Sequence, residues 1–158
     1  MNNVQKLIDE LANRNLTIGS VESFTGGLFA KTFTDVSGAS KVFKGSIVAY
    51  SPEVKVNVVG IPQEYIDKYG VVSYEVCQQM AIKGQKLLGV DVCVAFTGNA
   101  GPAVCEEGTD VGTCYMCIVF NGQAWPIPLH LQMERNVLRE YCVEAVISTV
   151  LSIITQSK

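Results

Sequence analysis

Asp91-Val92-Cys93-Val94-Ala95-Phe96 is a nearly continuous apolar run that closes on Thr97-Gly98-Asn99-Ala100-Gly101-Pro102. A strand without polar alternation is buried on both faces, the pattern of a central strand in a parallel sheet covered by helices on each side. The rest of the chain must then supply two helical layers, and its periodicity does so. Val4, Leu7, Ile8 and Leu11 lie at helical spacing behind an Asn2 or Asn3 cap, which predicts a helix to about residue 13. Residues 16–22 read as a strand, 25–33 as a helix, 35–38 as a turn and 42–50 as a second strand. Ser51-Pro52 is an N-cap followed by the proline favoured at the first helical position, opening a short helix to about residue 59. Pro62 starts another short helix, and Ser73 caps a longer one over 74–88. Residues 111–120 and 124–131 form a hairpin about Asn121-Gly122, with Pro126 and Pro128 placing the second strand at an edge. A last helix covers about 133–155. The expected fold is α/β: a three-layer α/β/α sandwich with a mostly parallel sheet and an antiparallel edge hairpin, as a single domain over 1–158.

Charge and composition exclude several partner classes. A net charge of −3 with 12 Lys+Arg scattered along the chain offers no basic face for nucleic acid, although one or two arginines suffice for a single phosphate. Residues 4–16 mix Lys6, Asp9, Glu10 and Arg14 among their apolar positions, so they do not read as an export signal. The longest apolar stretch, 145–154, is interrupted by Ser148, Thr149 and Ser152 and falls short of the roughly 20 residues a membrane span needs. The expectation is a soluble, intracellular protein without a membrane partner. Six cysteines are then read as small buried thiols. Cys114 and Cys117 have a zinc-like spacing but sit in a predicted strand, where residues three apart face opposite sides. With His130 the only histidine, no metal site is expected.

Chemistry concentrates at three loops that each follow a strand and so share the carboxyl edge of the sheet, where open α/β folds bind ligands. Ser23 ends the first strand and precedes Phe24-Thr25-Gly26-Gly27. It fits two roles equally: an N-cap before glycines that allow close packing, or a nucleophile beside the N–H groups of Thr25, Gly26 and Gly27, which would hold an oxyanion. At the second loop Tyr50 precedes the Ser51 cap and Lys55 is the fourth helical residue, the two positions that pack together in a hydrophobic staple. Singly they read as a sheet-edge aromatic and a solvated lysine. Jointly they bring a phenol and an amine together, and the helix dipole and burial both favour the neutral amine, a general base for serine. His130 lies on the expected edge strand and gives a Ser–His–Asp triad little support.

Together Val21-Glu22-Ser23-Phe24-Thr25-Gly26-Gly27, Val42-Phe43-Lys44-Gly45 through Tyr50-Ser51-Pro52-Glu53-Val54-Lys55, Gly70-Val71-Val72-Ser73, Thr97-Gly98-Asn99-Ala100-Gly101-Pro102, Val111-Gly112-Thr113 and Arg135 with Arg139 resemble the CinA C-terminal domain family. The likeness runs in order over nearly the whole chain. That family contains nicotinamide-nucleotide amidases, which convert nicotinamide mononucleotide to nicotinate mononucleotide and ammonia. The resemblance implies Ser23, Tyr50 and Lys55 as the catalytic set. It implies nucleotide contacts from Thr97 and Arg135, with Arg139 a further candidate, and the glycine turns at Gly26, Gly27, Gly98 and Gly101 close to the ligand. It also implies no cofactor, a homodimer or higher homo-oligomer, and a cytoplasmic role in pyridine nucleotide salvage. Two departures stand out: Phe24 replaces the cysteine that usually follows the serine, and Ala103-Val104-Cys105 replaces further glycines after Gly101-Pro102. They support the alternative of a catalytically weak nucleotide-binding or competence-associated module, and a hydrolase for another amide is a third reading.

Overall fold

The computed structural model describes residues 2–102 and 110–156. The departure at Ala103, Val104 and Cys105 lies outside the described residues. The chain runs α1 Asn3–Asn13, β1 Ile18–Glu22, α2 Leu28–Thr34, β2 Phe43–Val48 and α3 Pro52–Val54, which widens into a π-type turn over Lys55–Val59. There follow α4 Gln63–Tyr69, α5 Tyr74–Leu88, β3 Val92–Gly98, β4 Thr113–Phe120, β5 Gln123–His130 and α6 Arg135–Gln156. The sheet order is β2-β1-β3-β4-β5. β1 pairs in parallel with β2 and with β3, while β4 lies antiparallel between β3 and β5. β4 alone therefore runs against the other strands, and the hairpin supplies the antiparallel edge. Among the described residues, no helix is long and apolar enough to cross a membrane.

The caps expected at Asn2, Ser51 and Ser73 form their hydrogen bonds, whereas Ser23 does not cap α2, whose N-cap residue is Gly27. Asn2 Oδ1 accepts from the Gln5 N–H at 2.9 Å, Ser51 Oγ from Val54 at 3.3 Å and Ser73 Oγ from Val76 at 3.2 Å. The second helix departs from expectation by starting at Leu28 rather than near residue 25. Gly26 and Gly27 have φ of +60° and +101°, a left-handed turn incompatible with the first turn of a helix.

Two cores sandwich the sheet. On one face Ile18, Val92, Val94, Phe96, Met116 and Ile118 meet α1, α2 and α6; on the other Val21, Cys93, Ala95 and Val119 meet α5 and the segments before it. β3 is buried from Val92 to Thr97, as its unbroken apolar run demands. Close approach of α5 to β1 depends on Gly84, where a Cβ would collide with the Val21 side chain and lie 3.1 Å from Cys93 Sγ. Cys114 and Cys117 belong to opposite cores, so the strand geometry separates the two thiols as expected. Burial pushes the Cys93 thiol up to about 12 and that of Cys117 to about 11, which leaves both inert at neutral pH.

Candidate active site

The chain leaves β1 for β2 on one side and then crosses to β3 on the other, so the carboxyl ends of these strands flank a topological switch point. A cavity of about 400 Å³ opens there. Ser23, Tyr50, Thr97, Gly98, Gly101 and Arg135 all line it. Three sequence-distant loops and the start of α6 thus meet at one place.

Lys55 is completely buried. Its Nζ donates to Ser23 Oγ at 3.0 Å and to the Ala49 carbonyl at 2.8 Å. The staple geometry expected for Tyr50 and Lys55 is not adopted: Tyr50 is 62% exposed, and the lysine turns inward beneath the strand ends. Two hydrogen bonds from a buried amine outweigh packing of its stem against a solvated ring. The Tyr50 hydroxyl instead accepts a hydrogen bond from Arg135 Nη2 at 3.3 Å, and Arg135 Nη1 donates to the Gly101 carbonyl at 2.7 Å. Arg135 therefore ties the second and third loops together at the cavity wall.

The glycine turn after Ser23 is used differently from expectation. Glu22, fully buried, accepts hydrogen bonds from Gly27, Phe29 and Ala30 N–H groups at 3.2, 3.0 and 3.1 Å and from the Thr25 hydroxyl at 2.8 Å. Ser20 Oγ donates to the same carboxylate at 3.1 Å and is itself bonded to Ser46 Oγ. The Gly26 N–H bonds back to the Ser23 carbonyl at 3.0 Å. A helix start needs acceptors for its orphan donors, and here an internal carboxylate supplies them. Gly26 and Gly27 thus have no N–H group free for an oxyanion. Among the described residues the N–H groups of Phe24 and Thr25 have no acceptor, but Thr25 is fully buried and does not line the cavity, whereas Phe24 does. Glu22 was legible only as a lone acid closing an apolar strand one residue before the serine.

Arg139 lies away from the cavity wall. Its Nη2 donates to the Thr25 carbonyl at 2.9 Å and its Nη1 to Asn136 Oδ1 at 3.3 Å, so it braces the outside of the Ser23 turn. Phe24 is buried in the core that includes α6 and also lines the cavity. Thr97 is buried at the tip of β3, with its hydroxyl donating to the Val71 carbonyl at 3.0 Å. Asn99, which the sequence did not single out, also lines the cavity, and its Oδ1 accepts from the Gly101 N–H at 3.1 Å. A polar residue between the two glycines of this loop was the only available signal.

The sequence profile of the CinA C-terminal domain matches residues 2–154. A protein named "Protein MG115 homolog" from Mycoplasma pneumoniae is 36% identical over 151 residues, covering 95% of this chain and 96% of that protein. A "Putative competence-damage inducible protein" of Bacillus subtilis is 40% identical over 137 residues, 87% of this chain but 33% of the relative. A "CinA-like protein" of Prochlorococcus marinus is 48% identical over 112 residues, 26% of its own length. The chain thus spans about a quarter to a third of these two longer relatives. Among solved structures, a competence or damage-inducible protein from Enterobacter asburiae superposes with a TM-score of 0.93 at 22% identity, covering 96% of each chain, which establishes the shared fold. The profile match over nearly the whole length, with relatives above 30% identity, places the chain in the CinA C-terminal domain family.

Proposed function

We propose that the protein is a serine amidase that hydrolyses nicotinamide mononucleotide to nicotinate mononucleotide and ammonia. The observation that carries this reading is the buried contact of Lys55 Nζ with Ser23 Oγ at the carboxyl edge of the sheet. Burial disfavours the charged ammonium. In the neutral amine one N–H stays on the Ala49 carbonyl, and the lone pair can take the Ser23 proton along the same 3.0 Å line.

Ser23 Oγ then attacks the carboxamide carbon while its proton passes to Lys55. The negative charge develops on the carbonyl oxygen, for which the Phe24 N–H is the main-chain donor without an acceptor at the cavity. Collapse breaks the C–N bond, and ammonia leaves with a proton from Lys55 or the Tyr50 phenol. Water attacks the resulting ester, returns a proton through Lys55 and releases the carboxylic acid and Ser23. The balance is amide plus water to acid plus ammonia, with no redox step and no cofactor. Arg135, which lines the cavity, would hold the nucleotide phosphate in this reading.

With this activity go a cytoplasmic role in pyridine nucleotide salvage and a homodimer or larger homo-oligomer. The test is to incubate the purified protein with nicotinamide mononucleotide and measure ammonia and the acid nucleotide. Turnover lost in Ser23→Ala and Lys55→Ala supports the amidase. Binding without turnover in the unmodified protein refutes it in favour of a nucleotide-binding module, and action on unphosphorylated amides alone points to another amide substrate.

A further inference from the structure

The cavity lining includes two polar side chains of opposite hydrogen-bonding sense, those of Thr97 and Asn99. Alternation along β3 puts Ala95, Thr97 and Asn99 on one face of the sheet, the face on which Lys55 reaches Ser23. Glu22 pairs in register with Phe96, which sets the next residue, Ser23, beside Thr97 and leaves Asn99 one pleat further along the same edge. The Thr97 proton is committed to the Val71 carbonyl, so toward a ligand this hydroxyl presents lone pairs and no donor.

Asn99 is the reverse. Its carbonyl oxygen is committed to the Gly101 N–H, which also fixes the orientation of the amide, because the flipped form would set donor against donor. Its Nδ2 is buried and has no hydrogen-bond partner among the described residues, in a residue only 2% exposed. An unpaired buried donor at a ligand cavity is an unfavourable arrangement that a ligand acceptor relieves.

We infer that Thr97 and Asn99 read the polarity of a primary carboxamide: the ligand NH2 donates to Thr97 Oγ1, and its carbonyl oxygen accepts from Asn99 Nδ2. This rests on the amidase reading and adds how amide is told from acid. A carboxylate places an acceptor against the lone pairs of Thr97, so the hydrolysed product fits less well than the substrate and is released.

The experiment is calorimetric titration of the full chain carrying Ser23→Ala, in which the amide survives, with nicotinamide mononucleotide and with nicotinate mononucleotide. The amide nucleotide is expected to bind at least ~10-fold more tightly than the acid. Asn99→Asp, which keeps an acceptor for Gly101 and removes the donor, lowers amide affinity ~10- to 100-fold, as does Asn99→Leu; Thr97→Val brings the amide-to-acid ratio toward one. In otherwise unmodified protein the same factor appears in KM for Asn99→Asp, with a smaller change in kcat. Equal affinity for acid and amide, or unchanged amide affinity in both Asn99 variants, overturns the inference while leaving deamidation intact. Absence of both binding and deamidation in the unmodified protein overturns the amidase reading and this inference with it.

Discussion

Replacing Glu22 with glutamine keeps the shape of the side chain and changes one oxygen into a donor, which makes it a measured probe of the internal cap. If the NH2 takes the place of Oε1, it faces the N–H groups of Gly27 and Phe29, leaving two donors unpaired. If it takes the place of Oε2, it faces the Ala30 N–H and the Ser20 hydroxyl, and only the hydroxyl can turn to accept. The second orientation is cheaper and sets the cost: one charge-assisted bond lost with its part-buried donor stranded, and the remaining bonds reduced to neutral strength. That amounts to about 2–4 kcal/mol, a large share of the total stability of an ordinary domain. For a chain of this size the melting temperature should fall by roughly 4–16 °C. Urea denaturation followed by circular dichroism gives the free energy directly, provided the slope with denaturant is unchanged. A loss below about 0.5 kcal/mol would refute the carboxylate as the acceptor for the start of α2.

Lys55→Met removes the buried amine while keeping its stem. Turnover should drop by about 10²- to 10⁴-fold, while stability in urea stays equal or rises, since a buried amine is costly to desolvate; retained turnover would exclude Lys55 as the base. Arg135→Ala should raise KM for the nucleotide ~10-fold or more with a smaller change in kcat, and an equal loss on nicotinamide riboside would remove the phosphate from its role. Gly84→Ala should destabilise by about 1–3 kcal/mol, because the added methyl meets Val21 and Cys93 in a closed core; an unchanged denaturation midpoint would mean that α5 shifts freely on β1.

The layers and the strand-end location of the site were legible because they follow from local pattern. β3 has no polar position before its tip, and the Asn2, Ser51 and Ser73 caps each bond a donor three residues away. What failed depends on contacts that sequence spacing does not encode. Lys55 could equally have leaned on the Tyr50 ring; its direction was decided by Ala49 and by Ser23, which is 32 positions away. The turn after Ser23 looked like an open anion site because its glycines are visible in the sequence and the bonds of the carboxylate beneath them are not. Arg135 and Arg139 look alike at i and i+4 of one helix, yet only the first faces the cavity, since α6 begins at the rim and runs away from it.

β1 is buried at every position, so the hydrophobic effect alone does not select its register against β2 and β3. Glu22 does. Slipping the strand by one residue would turn the carboxylate to the other face of the sheet, away from the four donors that the following turn and α2 present to it, and would set a side chain where Gly19 now lies, a place at which a Cβ comes within 2.8 Å of the Gly45 carbonyl oxygen. The same slip would swing Ser23 out of reach of Lys55. The acid that never touches the cavity is thus the indexing pin of the nucleophile: it converts a strand tolerant of misalignment into one with a single setting.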